Sequence, residues 1–286
     1  MTEKVGILHP GAMGVSVAAA ARNSGCEVFW VADGRGPQTR ERAQAQSLRD
    51  AGSLEALCAT CSIIIGVCPP HAAEAMAAQI AAQSFKGIYA DVNAISPQRT
   101  QQIAAAMGEH GIAFVDGGII GPPAWKPGTT WLSLCGPDAQ RVADCFTAGP
   151  LQAEVIGDEI GAASALKMCY AAYTKGSTAL LCASLATAAR LGVRERLQQQ
   201  WARDGSGLDA RAPRLISEAS VKGWRFVGEM DEIAATFAQA GLPAGFHQAA
   251  ADLYRQLSAF RGRAQPPTLD EVLDALDAQR RPDGGA

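Results

Sequence analysis

The sequence predicts an α/β protein: an N-terminal doubly wound Rossmann domain, followed by an all-helical C-terminal domain built on a long spine helix. Three observations carry this. Short apolar runs alternate with helix-patterned segments over roughly the first 150 residues, as in a parallel sheet with crossover helices. After Ile156 the pattern changes to helices alone. Residues 160–189 hold no proline, and their only charges are Lys167 and Lys175. A helix of that length would run roughly 45 Å at ~1.5 Å per residue.

Each element follows from its pattern. Residues 4–9 are a short apolar strand, and 15–25 a helix stopped by Gly25. A second strand (27–32) precedes a polar helix (37–48). Residues 62–67 form a strand that is apolar from Ile63 onward, as buried parallel strands tend to be. An amphipathic helix (71–83), a strand (87–92) and a helix opened by Ser96-Pro97 follow. Strands at 112–117, 130–135 and 152–156 complete the sheet, with a twelve-residue loop, Gly117–Gly128, between the first two. Such a loop is more often functional than not. In the helical half, Thr268-x-x-Glu271 is a capping box. Glu229 and Glu232 share a helix face, expected to be solvated rather than an acid/base pair. The expected division is 1–156 for dinucleotide binding, 157–277 for substrate and dimerisation, and 278–286 as a disordered tail.

Composition narrows the function. With 286 residues, 48% hydrophobic and 19% charged, the chain is globular and not intrinsically disordered. A net charge of −3, with no basic cluster except Arg280–Arg281, argues against nucleic acid as partner. The lysines in residues 160–189 argue against a membrane span. The N-terminus lacks a basic stretch leading into a long apolar run, so a cytoplasmic protein is expected, its eight cysteines reduced. Cys58-x-x-Cys61 has no second half at zinc spacing and the four histidines lie far apart, so no metal is expected.

The segment His9-Pro10-Gly11-Ala12-Met13-Gly14 follows the first strand and opens a helix. In the dinucleotide fingerprint G-x-G-x-x-G, the first glycine makes the tight turn, the second admits the pyrophosphate and the third packs helix on sheet. Here His9 replaces the first glycine, while Gly11 and Gly14 hold the other two places. The helix N-terminus still offers N–H groups and a favourable dipole to phosphate. At the end of the second strand, an acid favours NAD and a guanidinium favours the 2′-phosphate of NADP. Asp33, Arg35 and Arg40 supply both, and the two arginines tip the expectation to NADP, with NAD the alternative. Cys68 and Pro69, which follow the third apolar strand, join the expected cofactor-binding residues.

These features resemble the β-hydroxyacid dehydrogenase and 6-phosphogluconate dehydrogenase superfamily, and in particular a phosphogluconate-dehydrogenase-like subgroup. Met13 matches the methionine of the glycine turn. The family's Asp-x-Ser-Thr-x-x-Pro stretch near the nicotinamide reads Asp91-Val92-Asn93-Ala94-Ile95-Ser96-Pro97, and Asn93 retains hydrogen-bonding capacity. The substrate loop, usually Asp-Ala-Pro-Val-Ser-Gly-Gly, reads Asp116-Gly117-Gly118-Ile119-Ile120-Gly121-Pro122. Ile120 replaces the serine that helps hold a carboxylate in the family, and Ile119, Ile120, Gly121 and Pro122 are the implied substrate residues. The motif Gly-x-Gly-x-x-x-Lys-x-x-Asn-Asn begins at Gly161; it keeps its lysine as Lys167 but has Tyr170 and Ala171 for the asparagines. The resemblance implies that Lys167 is the catalytic acid/base. Tyr170 and Thr174, three and seven residues further on, would share its helix face.

The implied activity is hydride transfer between a nicotinamide and a small hydroxy or carbonyl compound. The alternatives are an imine reductase-like enzyme acting on C=N, or a non-catalytic nucleotide-binding protein. A homodimer is expected, because the spine is apolar around most of its circumference.

Overall fold

The computed structural model describes residues 2–278; of the expected disordered tail, only Ala278 is among them, at the end of the last helix. The chain divides into two compact units, which meet in sequence between Met168 and Cys169.

The first unit opens with β1 (Lys4–Ile7), α1 (Ala12–Asn23), β2 (Glu27–Trp30), α2 (Pro37–Ala45), a short β3 (Arg49–Asp50) and α3 (Leu54–Thr60). It continues with β4 (Ile63–Gly66), α4 (Ala73–Ala81), β5 (Ile88–Asp91), α5 (Pro97–Glu109), β6 (Ala113–Ile120), β7 (Thr130–Cys135), α6 (Ala139–Ala143) and β8 (Leu151–Gly157). Then α7 (Ala162–Arg190) begins. Gly25, at φ +90°, closes α1 where the chain turns into β2.

The strands form one eight-stranded sheet in the order β3-β2-β1-β4-β5-β6-β7-β8. Side chains alternate between its faces: Ile63 and Ile65 join the core under α1, while Ile64 packs with Leu57, Ile80, Ile103 and Met107 of α3, α4 and α5. Continuous apolar strands are what burial on both faces requires.

The wholly parallel sheet read from the sequence needs two corrections. β6 and β7 pair antiparallel, Asp116 opposite Cys135 and Ile120 opposite Trp131. No helix lies between these strands, and a parallel neighbour would need a crossover connection. The expected loop also begins later than Gly117. Gly117–Ile120 extend β6, and the connection to β7 is 121–129. Glycines stand in this strand because the space beside it is taken. A Cβ on Gly117 would come within 2.6 Å of Val92 Cγ1, and one on Gly118 within 2.6 Å of Ala163 O and 3.0 Å of Lys167 Cβ. Gly118 thus lets the start of α7 lie directly against the sheet.

The second unit holds the rest of α7 with α8 (Arg194–Arg203), α9 (Leu208–Ser220), α10 (Gly223–Gln239), α11 (Gly245–Gln256) and α12 (Leu269–Ala278). Thr268 and Glu271 cap α12 reciprocally: Thr268 N–H donates to Glu271 Oε2 at 2.7 Å and Glu271 N–H to Thr268 Oγ1 at 3.2 Å. The solvated face expected for Glu229 and Glu232 is not found. Glu232 is buried, and the Glu229 carboxylate forms an ion pair with Lys175. Lys175 Nζ also lies 4.7 Å from the Phe226 ring centroid, and Tyr254 OH donates to Lys175 O. The charges turn inward because each supplies the other's partner in a poorly solvated place. Among the described residues, no helix is long and apolar enough to cross a membrane.

Gly118→Ala should cost about 1–3 kcal/mol, the usual range for overpacking a close contact. Gly108→Ala, in α5 with open space around its Cβ position, should be neutral or slightly stabilising. Urea denaturation midpoints of the two variants check this.

Candidate functional site

The first turn carries the chain from β1 into α1. Gly11 is the N-cap of α1, with extended backbone and no side-chain cap. The first-turn amides of the helix are therefore free of side-chain competition for an anion. Gly14 is required by packing: a Cβ there would sit 2.2 Å from His9 O. His9 is half-buried, Pro10 and Gly14 are buried, and Ala12 is exposed, with Gly11 and Met13 between these extremes.

Arg35, expected at the adenosine ribose, turns back onto this loop. Its Nη2 donates to Leu8 O at 3.0 Å and its Nη1 lies 3.1 Å from His9 Nδ1. Arg40 donates from Nε to Arg35 O at 3.0 Å and is exposed, as is Asp33. The His9 pKa is lowered by burial and by the charges of Arg35 and Arg42.

The ends of β4 and β5 supply the next part. Asn93 Oδ1 accepts from Cys68 N–H, and Asn93 N–H donates to Asp91 Oδ1 at 2.9 Å. With its oxygen used, the Asn93 amide has its NH₂ left to give; Nδ2 is buried without a partner among the described residues, as are Asp91 Oδ2 and Tyr89 OH. Cys68 is part-buried, with burial pushing its thiol up to about 12, and Pro69 is exposed. Burial pushes the Asp91 carboxyl up to about 7, with the neighbouring Asp116 adding to the shift.

Asp116 is the residue that sequence reasoning passed over. It pairs in register with Asp91 across β5 and β6, so both side chains face the same side of the sheet. Asp116 Oδ2 accepts from Gly161 N–H at 2.9 Å, Ser164 N–H at 3.1 Å and Cys135 Sγ at 3.2 Å; Oδ1 accepts from Ser164 Oγ at 2.6 Å. The available signal was an acid inside an otherwise apolar strand, where only a specific set of donors makes burial tolerable.

Lys167 follows one turn into α7, its Cβ beside Gly118. Asn93 and Gly118 each lie two residues beyond the Asp91–Asp116 pair, so the orphaned amide and Lys167 belong to the same end of adjoining strands. Burial lowers the Lys167 ammonium to about 8, a range in which it can gain and lose a proton near neutrality.

Of the residues expected to hold substrate, Ile119 is buried in β6, Ile120 is part-buried at its end, and Gly121 and Pro122 are exposed in the connection to β7. Tyr170 and Thr174 are exposed on α7, Thr174 Oγ1 donating to Tyr170 O, whereas Ala171 is buried. Cys58 and Cys61 are buried thiols, pushed up by burial to about 11 and about 12.

A mostly parallel sheet with a glycine turn opening α1 defines a Rossmann-type dinucleotide-binding protein. Residues 4–145 match the family described as the NAD binding domain of 6-phosphogluconate dehydrogenase, and residues 188–257 match a domain of unknown function, DUF1932. The first half of the chain thus carries an NAD binding domain of the 6-phosphogluconate dehydrogenase type, and the chain has the fold of structures described as hydroxyacid dehydrogenases. An uncharacterised 28.5 kDa protein of Methanothermus fervidus is 31% identical over 172 residues, which is 60% of this chain and 65% of the relative's own length. A conserved protein of unknown function, described as structurally similar to 3-hydroxyacid dehydrogenases, superposes with a TM-score of 0.68 at 28% identity over 90% of this chain and 97% of the other. The 3-hydroxyisobutyrate dehydrogenase of Mycobacterium tuberculosis gives 0.70 at 18% identity over 98% and 100% of the two chains, a likeness of fold.

The raised Asp91 pKa has a defined sign. The folded protein keeps a proton that the unfolded chain releases near pH 4, so this residue's contribution to stability falls as pH rises from about 4 through about 7. Asp91→Asn should remove that slope, so that the variant gains on the wild type toward pH 8. Urea unfolding at several pH values checks it.

Proposed function

We propose that the protein is an NAD(P)-dependent oxidoreductase acting on a small hydroxy or carbonyl compound, with Lys167 as general acid/base. The observation that carries the reading is Lys167 itself: an ammonium lowered to about 8, held beside Gly118 at the end of β6 in an NAD-binding domain. The residues present fit a dinucleotide on the chain's own features: an uncapped α1 N-terminus, a Gly14 position that admits no side chain, and a buried Asn93 Nδ2 lacking a partner among the described residues.

A bound nicotinamide supplies or accepts the hydride. On reduction, Lys167 Nζ gives a proton to the substrate oxygen as the carbon is reduced, and then recovers one from solvent. On oxidation, neutral Lys167 takes the hydroxyl proton. Asn93, held by Asp91 and the Cys68 amide, offers its NH₂ to a polar group at the nicotinamide end. For the adenosine end we favour NADP, with the exposed Arg40 facing the 2′-phosphate. Ile120 in place of a carboxylate-binding serine favours substrates less dependent on a carboxylate anchor.

Lys167→Ala should lower kcat by about 10²–10⁴-fold and remove the limb of the pH–rate profile near pH 8. NADPH oxidation against panels of small aldehydes, ketones, keto acids and cyclic imines measures this. Turnover of imines alone would move the chemistry to C=N, and near-full turnover in folded Lys167→Ala would remove the lysine from the mechanism.

The same helix supports a homodimer. Tyr170, Tyr173 and Leu180 are all exposed on α7, at spacings of 3 and 7 residues that return to one face. Light scattering at micromolar concentration should give twice the chain mass, and Tyr173→Glu with Leu180→Glu should halve it.

A further inference from the structure

The position where the dinucleotide fingerprint has its first glycine is filled here by His9, and the consequence lies in what the ring touches. Arginine has only donors to offer, so the 3.1 Å contact from Arg35 Nη1 makes His9 Nδ1 the acceptor. The ring proton is then on Nε2. A Cβ on Gly11 would come within 3.3 Å of His9 Cδ2 and Nε2, so this edge of the ring flanks the N-cap of α1. Arg35 is fixed on the same loop by Leu8 O, and its Nε is buried without a hydrogen-bond partner among the described residues. A cation with an unused buried donor, a neutral imidazole N–H and an uncapped helix start are thus gathered at one turn. Arg35 is consequently drawn away from the adenosine 2′ position that its place in the sequence suggested.

We propose that His9 and Arg35 form a paired donor for the diphosphate of the dinucleotide, replacing the backbone access that the first glycine of the fingerprint would give. The pairing rests on the dinucleotide-binding reading above. It makes Arg35 indifferent to the 2′-phosphate: its charge and hydrogen bonds serve the group that NADH and NADPH share. His9 does two things, offering Nε2–H to the anion and holding the guanidinium through Nδ1.

Calorimetric titration of the full chain with NADH, NADPH and ADP-ribose tests this. Arg35→Ala should weaken all three by a similar factor, about 10- to 100-fold, the range for charge-assisted hydrogen bonds. His9→Ala should do likewise, and the double variant should lose little more than the worse single one, because the two act as a unit. His9→Gln, which keeps an N–H donor, should recover part of the loss. Arg40→Ala should weaken NADPH alone. In ³¹P spectra of bound NADPH, Arg35→Ala should move the diphosphate resonances and leave the 2′-phosphate resonance in place. A loss confined to NADPH in Arg35→Ala, or wild-type binding by both Arg35→Ala and His9→Ala, overturns the pairing while leaving the dinucleotide reading intact. Failure of the wild-type chain to bind any of the three overturns both.

Discussion

The placement of the candidate chemistry depends on one buried carboxylate. A helix begins with amides that have no intrahelical partner, and a carboxylate inside a sheet has lost its water; Asp116 and the start of α7 resolve each other's deficit. Two backbone amides, a hydroxyl and a thiol converge on the two Asp116 oxygens, and the negative charge lies at the favourable end of the helix dipole. Thr100 extends the anchor to α5 through its 2.8 Å contact with Ser164 Oγ. With α7 held at its first turn and Gly118 leaving room below, the position of Lys167 one turn later is determined by helix geometry.

The two carboxylates at this end of the sheet have different environments, although they are neighbours in register. Asp116 is surrounded by donors. Asp91 has the Asn93 amide on one oxygen and nothing on the other among the described residues, and its raised pKa follows from that poverty together with the charge next door. Its structural return is the orientation of Asn93. That side chain is held at its backbone by Asp91 and at its Oδ1 by Cys68, so its amide nitrogen is the end left free to act.

The departures from the family's motifs form no uniform pattern of decay. His9 brings a new partner, Arg35, into the glycine turn. Ile120 ends β6, part-buried, and brings no polar group of its own in place of a serine. Lys175, eight residues beyond Lys167, is neutralised by Glu229 and stacked near Phe226, a structural setting quite unlike that of Lys167.

Alternation of apolar strands with helices, the glycine turn, the change to helices after Ile156, the capping box at Thr268 and the long helix bearing Lys167 could all be read from the chain itself. Each depends on residues within one or two turns or strands of each other, where periodicity and backbone preference decide the outcome. Other features depended on groups far apart in sequence. The antiparallel pairing of β6 with β7, the extension of β6 through Gly117–Ile120, the inward turn of Glu229 and Glu232, the return of Arg35 to His9 and the four donors on Asp116 are of this kind. A side chain's type says that it must find a partner when buried; which partner it finds is settled only when the sheet order and the helix packing bring distant segments within hydrogen-bond reach.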